Sequence, residues 1–130
     1  MADSKKYTGV SGKYTKNGTP DGFTSITPFI VIKNPSEAIE FYKTVFNARI
    51  KDITEFSDEN GNKTVVHAEL DLGNGFLQLG AANPAYKLVL PPDGDNACYS
   101  LAIYVDDVDR VSGEAVARGA KRAHCQFCFR

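Results

Sequence analysis

The sequence predicts an α+β domain built from a repeated strand–helix unit. Segments with alternating apolar and polar residues, typical of half-buried strands, surround a stretch with apolar residues at helical spacing. Over residues 26–80 the predicted order is strand, helix and three further strands. A second strand–helix pair follows residue 97, displaced by about 72–73 residues from the first, which indicates an internal duplication.

The first unit begins with a strand and a capped helix. The run I-T-P-F-I-V-I over residues 26–32 has the β-branched, apolar composition of a strand. Asn34 and Pro35 follow in the N-cap and N1 positions that begin many helices. We expect a helix over residues 35–46, ended by Asn47 in the left-handed conformation. Its apolar face contains Ala38, Ile39, Tyr42, Val45 and Phe46.

Three strands complete the first unit. Residues 48–56 are predicted as a strand, and the turn signal Asn60-Gly61 follows it. In V-V-H-A-E-L-D-L-G, residues 65–73, apolar residues alternate with His67, Glu69 and Asp71, so one face is apolar and the other polar. The last strand, F-L-Q-L-G, places Phe76 and Gln78 on one face.

The chain outside this unit divides into three parts. Residues 1–22 are polar, glycine-rich and aperiodic, and we expect a flexible arm before the first module at 23–80. Residues 81–97 form a linker rich in proline and glycine. Residues 98–130 supply a strand, a helix and a tail, which is too little for a whole second module. We therefore expect the second module to be incomplete, with a truncated or altered C-terminus.

The second unit is predicted to repeat the beginning of the first. The run C-Y-S-L-A-I-Y-V over residues 98–105 is predicted as a strand. Asp106 and Asp107 cap the next helix, and Gly119 ends it in the left-handed conformation. The residues of this helix that we expect to face inward are Val108, Val111 and Ala115.

Composition and charge narrow the range of partners. The 130 residues fit one domain, and a net charge of −1 disfavours a nucleic-acid partner. No apolar run approaches the roughly 20 residues of a membrane span, and we expect a cytoplasmic protein. Three cysteines fit a reducing compartment, although Cys125 and Cys128 form a CxxC pair in the tail.

The duplicated pattern resembles the vicinal oxygen chelate superfamily, that is, the glyoxalase/bleomycin resistance/dioxygenase fold, and within it the PhnB-like branch. The similarity covers about residues 23–120. It rests on T-P-F-I-V-I, A-I-E-F-Y-K-T-V-F-N-A, V-V-H-A-E-L-D-L-G, Y-S-L-A-I-Y-V-D-D-V-D and A-V-A-R-G-A. The resemblance implies duplicated βαβββ modules whose mixed, curved sheet surrounds a cleft. The helices would cover the apolar face, and His67, Glu69 and Asp71 would look into the cleft.

The resemblance also identifies where a metal would be held. Metal-dependent members take ligands from the first strand and from the strand that carries A-E-L, so Glu69 falls at one ligand position. Thr27 occupies the first-strand position at which such members carry His or Gln, and the duplication places Ser100 as its counterpart. We therefore expect no cofactor, while a divalent metal with Glu69 as a ligand stays possible.

Three hypotheses for the function follow. The first is binding of a small organic molecule in the cleft without an intact metal site; the candidate ligand-binding residues are Thr27, Phe29, His67, Glu69, Gln78, Ser100 and Tyr104. Aromatic side chains among them would stack on a planar ligand. The alternative is a divalent-metal-dependent lyase, isomerase or dioxygenase that uses Glu69 as ligand or base. A non-catalytic homologue is a third possibility, and the incomplete second module favours a homodimer. No catalytic residue is assigned.

Overall fold

A four-stranded mixed sheet forms the centre of the molecule, and one helix covers one of its faces. The computed structural model describes residues 15–94 and 96–122. The elements are β1 (Thr15–Lys16), β2 (Thr19–Pro20), β3 (Phe29–Val31), α1 (Pro35–Phe46), β4 (Arg49–Ser57), β5 (Lys63–Asp71), β6 (Phe76–Gly80) and α2 (Val108–Ala117). The strand order is β3-β6-β5-β4, with β3 parallel to β6 and the other pairs antiparallel. The predicted order of strand, helix and three strands is therefore confirmed for the first unit.

Helix α1 begins and ends where its sequence predicts. Pro35 lies in the first turn, and Asn47 ends the helix in the left-handed conformation with φ of 55°. The Asn34 side chain donates to the Glu37 carboxylate at 3.3 Å rather than to a backbone group. Buried Ala38 and Ile39 pack on the sheet, as the apolar spacing predicts.

The core lies between α1 and the sheet. The alternation of β5 and β6 directs Ala68, Leu70, Leu77 and Leu79 towards α1, where they are almost completely buried. Burying one leucine side chain contributes about 1.5–3 kcal/mol, so this layer supplies much of the stability of the fold. The other face of the same strands carries His67, Glu69 and Gln78, which are half-buried.

Two bulges interrupt the pairing of β4 with β5. The register passes from Ile50–Leu70 to Asp52–Glu69, which leaves Lys51 as an extra residue of β4. It then passes from Thr54–His67 to Glu55–Val65, which leaves Val66 as an extra residue of β5. A bulge reverses the alternation of the faces beyond it. Val65 is accordingly buried in the core although it has the same parity as His67.

Part of the predicted N-terminal arm forms a hairpin. Strands β1 and β2 pair through the turn Asn17-Gly18, whose φ angles of 54° and 81° are those of a type I′ hairpin. Residues 15–22 of the predicted flexible arm thus contain a short hairpin, and Asn-Gly is itself a strong hairpin signal. Residues 1–14 lie outside the described residues.

The second unit follows the prediction only in its helix. The Asp107 carboxylate caps α2 by accepting from the Arg110 N–H at 3.0 Å, and Gly119 has a φ of 100°. Val111 and Ala115 pack on Val45 of α1, but Val108 is 40% exposed and was wrongly predicted to face inward.

Residues 98–105, predicted as a strand, are not assigned to any strand of the described sheets. A strand needs a neighbour for its N–H and C=O groups, and in the described part of the chain neither the β1–β2 hairpin nor the four-stranded sheet pairs with this segment.

The predicted linker contains one short ordered turn. Pro84–Tyr86 form a 3₁₀ turn that Asn83 caps, and Asn83 also pairs with Leu88. Within residues 15–94 and 96–122, no helix is long and apolar enough to cross a membrane. The Cys125–Cys128 pair lies outside the described residues.

Candidate functional site

The candidate site lies on the face of the four-stranded sheet that α1 does not cover. We call this the open face. The register places Phe29 of β3, Gln78 of β6, Glu69 of β5 and Asp52 of β4 side by side in one row across the sheet. Neighbouring strands lie about 4.8 Å apart, so adjacent members of the row are within reach of one ligand. Three predicted site residues are therefore brought together by strand pairing.

Glu69 is held in place by a neighbouring amide. The Gln78 side chain donates to Glu69 Oε2 at 3.0 Å, and both residues are half-buried. Within the described residues, neither Glu69 nor Asp52 forms an ion pair. Because Gln78 occupies only one carboxylate oxygen, Glu69 retains acceptor capacity towards the open face.

Phe29 and His67 form an aromatic platform beside this pair. Their ring centroids are 5.9 Å apart, with an interplanar angle of 23°. Gly80 lies between the strands that carry them, and a Cβ built there would be 3.2 Å from Phe29 Cζ. The missing side chain at Gly80 lets the Phe29 ring reach across β6 towards His67. The platform therefore depends on a glycine that the sequence analysis did not single out.

A second aromatic pair, Phe23 and Phe76, borders the row on the side away from His67. Phe23 stacks on Phe76 with centroids 3.9 Å apart and planes 5° from parallel. Phe76 shares the open face with Gln78, two residues along β6. Gly22 approaches the same ring closely, because a Cβ there would lie 3.5 Å from Phe76 Cε2. The sequence analysis missed Phe23; its signal was an aromatic residue directly after the turn Pro20-Asp21-Gly22.

Asp71, the third polar residue of the β5 alternation, is a structural residue. Its Oδ1 accepts from the Gly73 N–H at 2.7 Å, and its Oδ2 accepts from Arg49 at 2.8 Å. The Gly73 hydrogen bond, followed by the charges of Arg49 and Lys51, holds the pKa of Asp71 below its ordinary value, against the opposing effect of desolvation. These contacts join β4 to the β5–β6 turn and leave Asp71 little capacity to bind a ligand.

Thr27 lies next to the row, whereas Tyr104 lies elsewhere. Thr27 is half-buried and precedes β3 by two residues, so it shares the parity of Phe29. Tyr104 is 95% exposed and lines a groove of about 520 Å³ with residues 44–47 of α1 and its end. Tyr104 therefore lies on the helix side of the sheet, away from Glu69.

Ser100 lies in the same unpaired segment as Tyr104. Its neighbour Tyr99 lies close to Tyr42 of α1. Burial raises the pKa of the Tyr42 phenol, and the nearby Tyr99 adds a smaller effect in the same direction. The expectation that Ser100 and Tyr104 face the cleft assumed a strand at 98–105, and without that strand the parity argument fails.

The open face carries few side chains that could hold a metal ion. Zinc and similar ions take at least three fixed protein ligands. Within residues 15–94 and 96–122, no group of three His, Cys, Asp or Glu side chains converges. His67 and Glu69 share the face, but Thr27 supplies only a hydroxyl at the first-strand position. The described residues therefore show no set of three converging metal ligands.

The fold and the sequence together identify the family. The model of the Glyoxalase/Bleomycin resistance protein/Dioxygenase superfamily matches residues 22–123. The chain belongs to this superfamily. Among solved structures, the chain resembles TioX from Micromonospora sp. ML1, with a TM-score of 0.51 and 23% identity, over 75% of this chain and 73% of that one. This similarity concerns the fold alone. The search of curated proteins finds no match.

Proposed function

We propose that the open face binds a small, planar organic molecule without a metal ion. The observation that carries the proposal is the Glu69–Gln78 hydrogen bond of 3.0 Å next to the Phe29–His67 platform. Membership of a superfamily whose fold is suited to small-molecule binding supports it.

The chemistry of the face suggests what such a molecule would carry. Phe29 and His67 offer ring surfaces for stacking, which favours a planar aromatic group. Glu69 offers a free carboxylate oxygen, and Asp52 adds a second carboxylate in the same row, so a donor or a positive charge on the ligand would be stabilised. Gln78 keeps the Glu69 side chain oriented before the ligand arrives.

The test is a titration of the purified protein with acridine orange, a planar aromatic cation, followed by fluorescence. We expect saturable binding that Phe29→Ala and Glu69→Gln each weaken about tenfold, equivalent to about 1.4 kcal/mol. Glu40→Gln is the matched control, because Glu40 carries the same charge but lies exposed on α1. The proposal is wrong if the two site variants bind as the Glu40→Gln control does, or if the wild-type protein does not bind the dye.

The second candidate is a divalent-metal-dependent lyase, isomerase or dioxygenase with Glu69 as ligand or base. The observation that favours it is the position of His67 and Glu69 two residues apart on one face. Elemental analysis after incubation with zinc or manganese and removal of free metal tests this candidate. Near-stoichiometric metal that Glu69→Ala abolishes would replace the metal-free proposal, whereas equal metal content in both proteins would reject the enzyme.

Three further expectations from the sequence remain proposals. We propose that the protein is a homodimer, which light scattering would test as a doubling of the 14.2 kDa chain mass. We also propose a cytoplasmic location, which the low cysteine count supports. Assignment to the PhnB-like branch likewise stays a prediction within the superfamily.

A further inference from the structure

Strand β4 forms one edge of the four-stranded sheet and is unusually exposed. It spans nine residues, Arg49–Ser57, and all nine are exposed. Ile53 is 38% exposed and Phe56 is 64% exposed. The opposite edge, β3, has three residues. A long edge with exposed apolar residues is a template for pairing with another strand, because its outward N–H and C=O groups have no partner in the sheet.

We propose that β4 pairs antiparallel with β4 of a second copy, with Ile53 on the two-fold axis. This inference rests on the proposed homodimer and names its interface. In a two-fold antiparallel pair, a residue placed a given number of positions before the axis faces the residue placed equally far after it. Ile53 then faces Ile53, Asp52 faces Thr54, and Lys51 faces Glu55.

Charge selects this register among the two-fold alternatives near the middle of the strand. An axis at Asp52 would place two carboxylates opposite each other, and so would an axis at Glu55. An axis at Lys51 would oppose two ammonium groups, and an axis at Thr54 would set Asp52 against Phe56. Only the axis at Ile53 puts an isoleucine pair at the centre and opposite charges beside it, which is the favourable pattern for cross-strand neighbours.

The side chains available for pairing are placed to support this interface. Ile53 faces the same side of the sheet as Ala68, its partner on β5, so an Ile53 pair would extend the core layer beyond the end of the sheet. Lys51 Nζ lies 3.9 Å from Asp71 Oδ2 in one partly exposed ion pair. Glu55 Oε2 lies 3.5 Å from Lys63 Nζ in another. Both keep enough exposure to meet a neighbouring strand. The bulge at Lys51 and charges on an edge normally discourage pairing. Here the charges are of opposite sign and face each other.

Disulfide trapping tests the register. Residues directly opposite in an antiparallel pair have Cα atoms about 4.5–5.5 Å apart, within the range of a disulfide. In a background in which Cys98, Cys125 and Cys128 are serine, Ile53→Cys should give a covalent dimer under mild oxidation. Phe56→Cys is the matched control: in the proposed register it faces Ile50, about 20 Å from its own copy. We expect crosslinking of at least half of the Ile53→Cys protein and little of the control.

A charge reversal tests the interface without cysteines. Lys51→Glu alone should raise the dimer dissociation constant about tenfold, because each dimer contains the Lys51–Glu55 pair twice. The double variant Lys51→Glu, Glu55→Lys should restore association. A dimer that forms without Ile53→Cys crosslinking would overturn this interface but leave the homodimer proposal standing. A monomer by light scattering would overturn both, while dye binding in the same sample reports separately on the open face.

Discussion

Replacing Gly80 by alanine probes the closest backbone approach near the site. A Cβ at this position would lie 2.2 Å from the Val66 carbonyl oxygen, whereas real Cβ contacts essentially never fall below 3.0 Å. The β5 bulge or β6 must therefore move by about 0.8 Å. Since the obstacle is backbone rather than a flexible side chain, we expect a cost near the upper end of overpacking, about 3 kcal/mol.

The gain from restricting the unfolded chain offsets part of this cost. Exchanging glycine for alanine contributes about 0.4–1 kcal/mol where the native conformation permits it. The net loss in the free energy of unfolding should be about 2 kcal/mol, which lowers the urea midpoint by about 1 M. Gly75→Ala, in the turn before the same strand, is the control, because no atom lies within 4 Å of its built Cβ.

Equilibrium urea unfolding followed by circular dichroism measures both variants. We expect Gly75→Ala to stay within about 0.5 kcal/mol of the wild type. If Gly80→Ala were equally well tolerated, the close packing of β6 on the Val66 bulge would be wrong. The explanation of the Phe29–His67 platform would then lose its basis.

Two further predictions concern stability. Asp71→Asn should lower the free energy of unfolding at pH 7. Because the folded-state pKa of Asp71 lies below the ordinary value of 3.8, the difference from wild type should shrink as pH falls through the folded pKa below that value. The control Asp93→Asn, in an exposed loop, should change the free energy of unfolding little at pH 7. If the free energies of unfolding of Asp71→Asn and wild type differed by the same amount at every pH, the hydrogen-bonded Asp71 carboxylate would be contradicted. Leu79→Ala should cost about 2–5 kcal/mol, since Leu79 is 0% exposed in the core. The same change at exposed Leu90 should cost less than about 1 kcal/mol. If Leu79→Ala and Leu90→Ala had similar urea midpoints, Leu79 would not belong to the core.

The first module was predictable because its signals are local. Alternation over residues 65–73 identifies a strand with one polar and one apolar face, and Asn34-Pro35 and Asn47 identify the ends of α1. These patterns act through backbone geometry within a few residues. The alignment of Glu69 with Gln78 then follows from antiparallel pairing across a short turn.

What the sequence did not indicate depends on distant neighbours. The contact of Gly80 with Val66 requires the bulge register, and the pairing of Asp71 with Arg49 joins residues that are 22 positions apart. The alternation in residues 98–105 is a sound strand signal, but a strand forms only beside another strand. Ser100 and Tyr104 were assigned to the cleft through that strand, so the parity argument for both is lost, and Tyr104 borders α1 instead.

The most direct test of the central claim locates a bound ligand on the protein. Nitrogen-15 NMR spectra recorded with and without saturating acridine orange would show which amides change. If the open face is the binding site, the Gln78 side-chain amide and the Gly80 backbone amide should shift most, and Glu69→Gln should reduce these shifts at equal dye concentration. Shifts concentrated instead at Arg110 and Val111, which line the groove with Tyr104, would place the ligand on the helix side and contradict the claim.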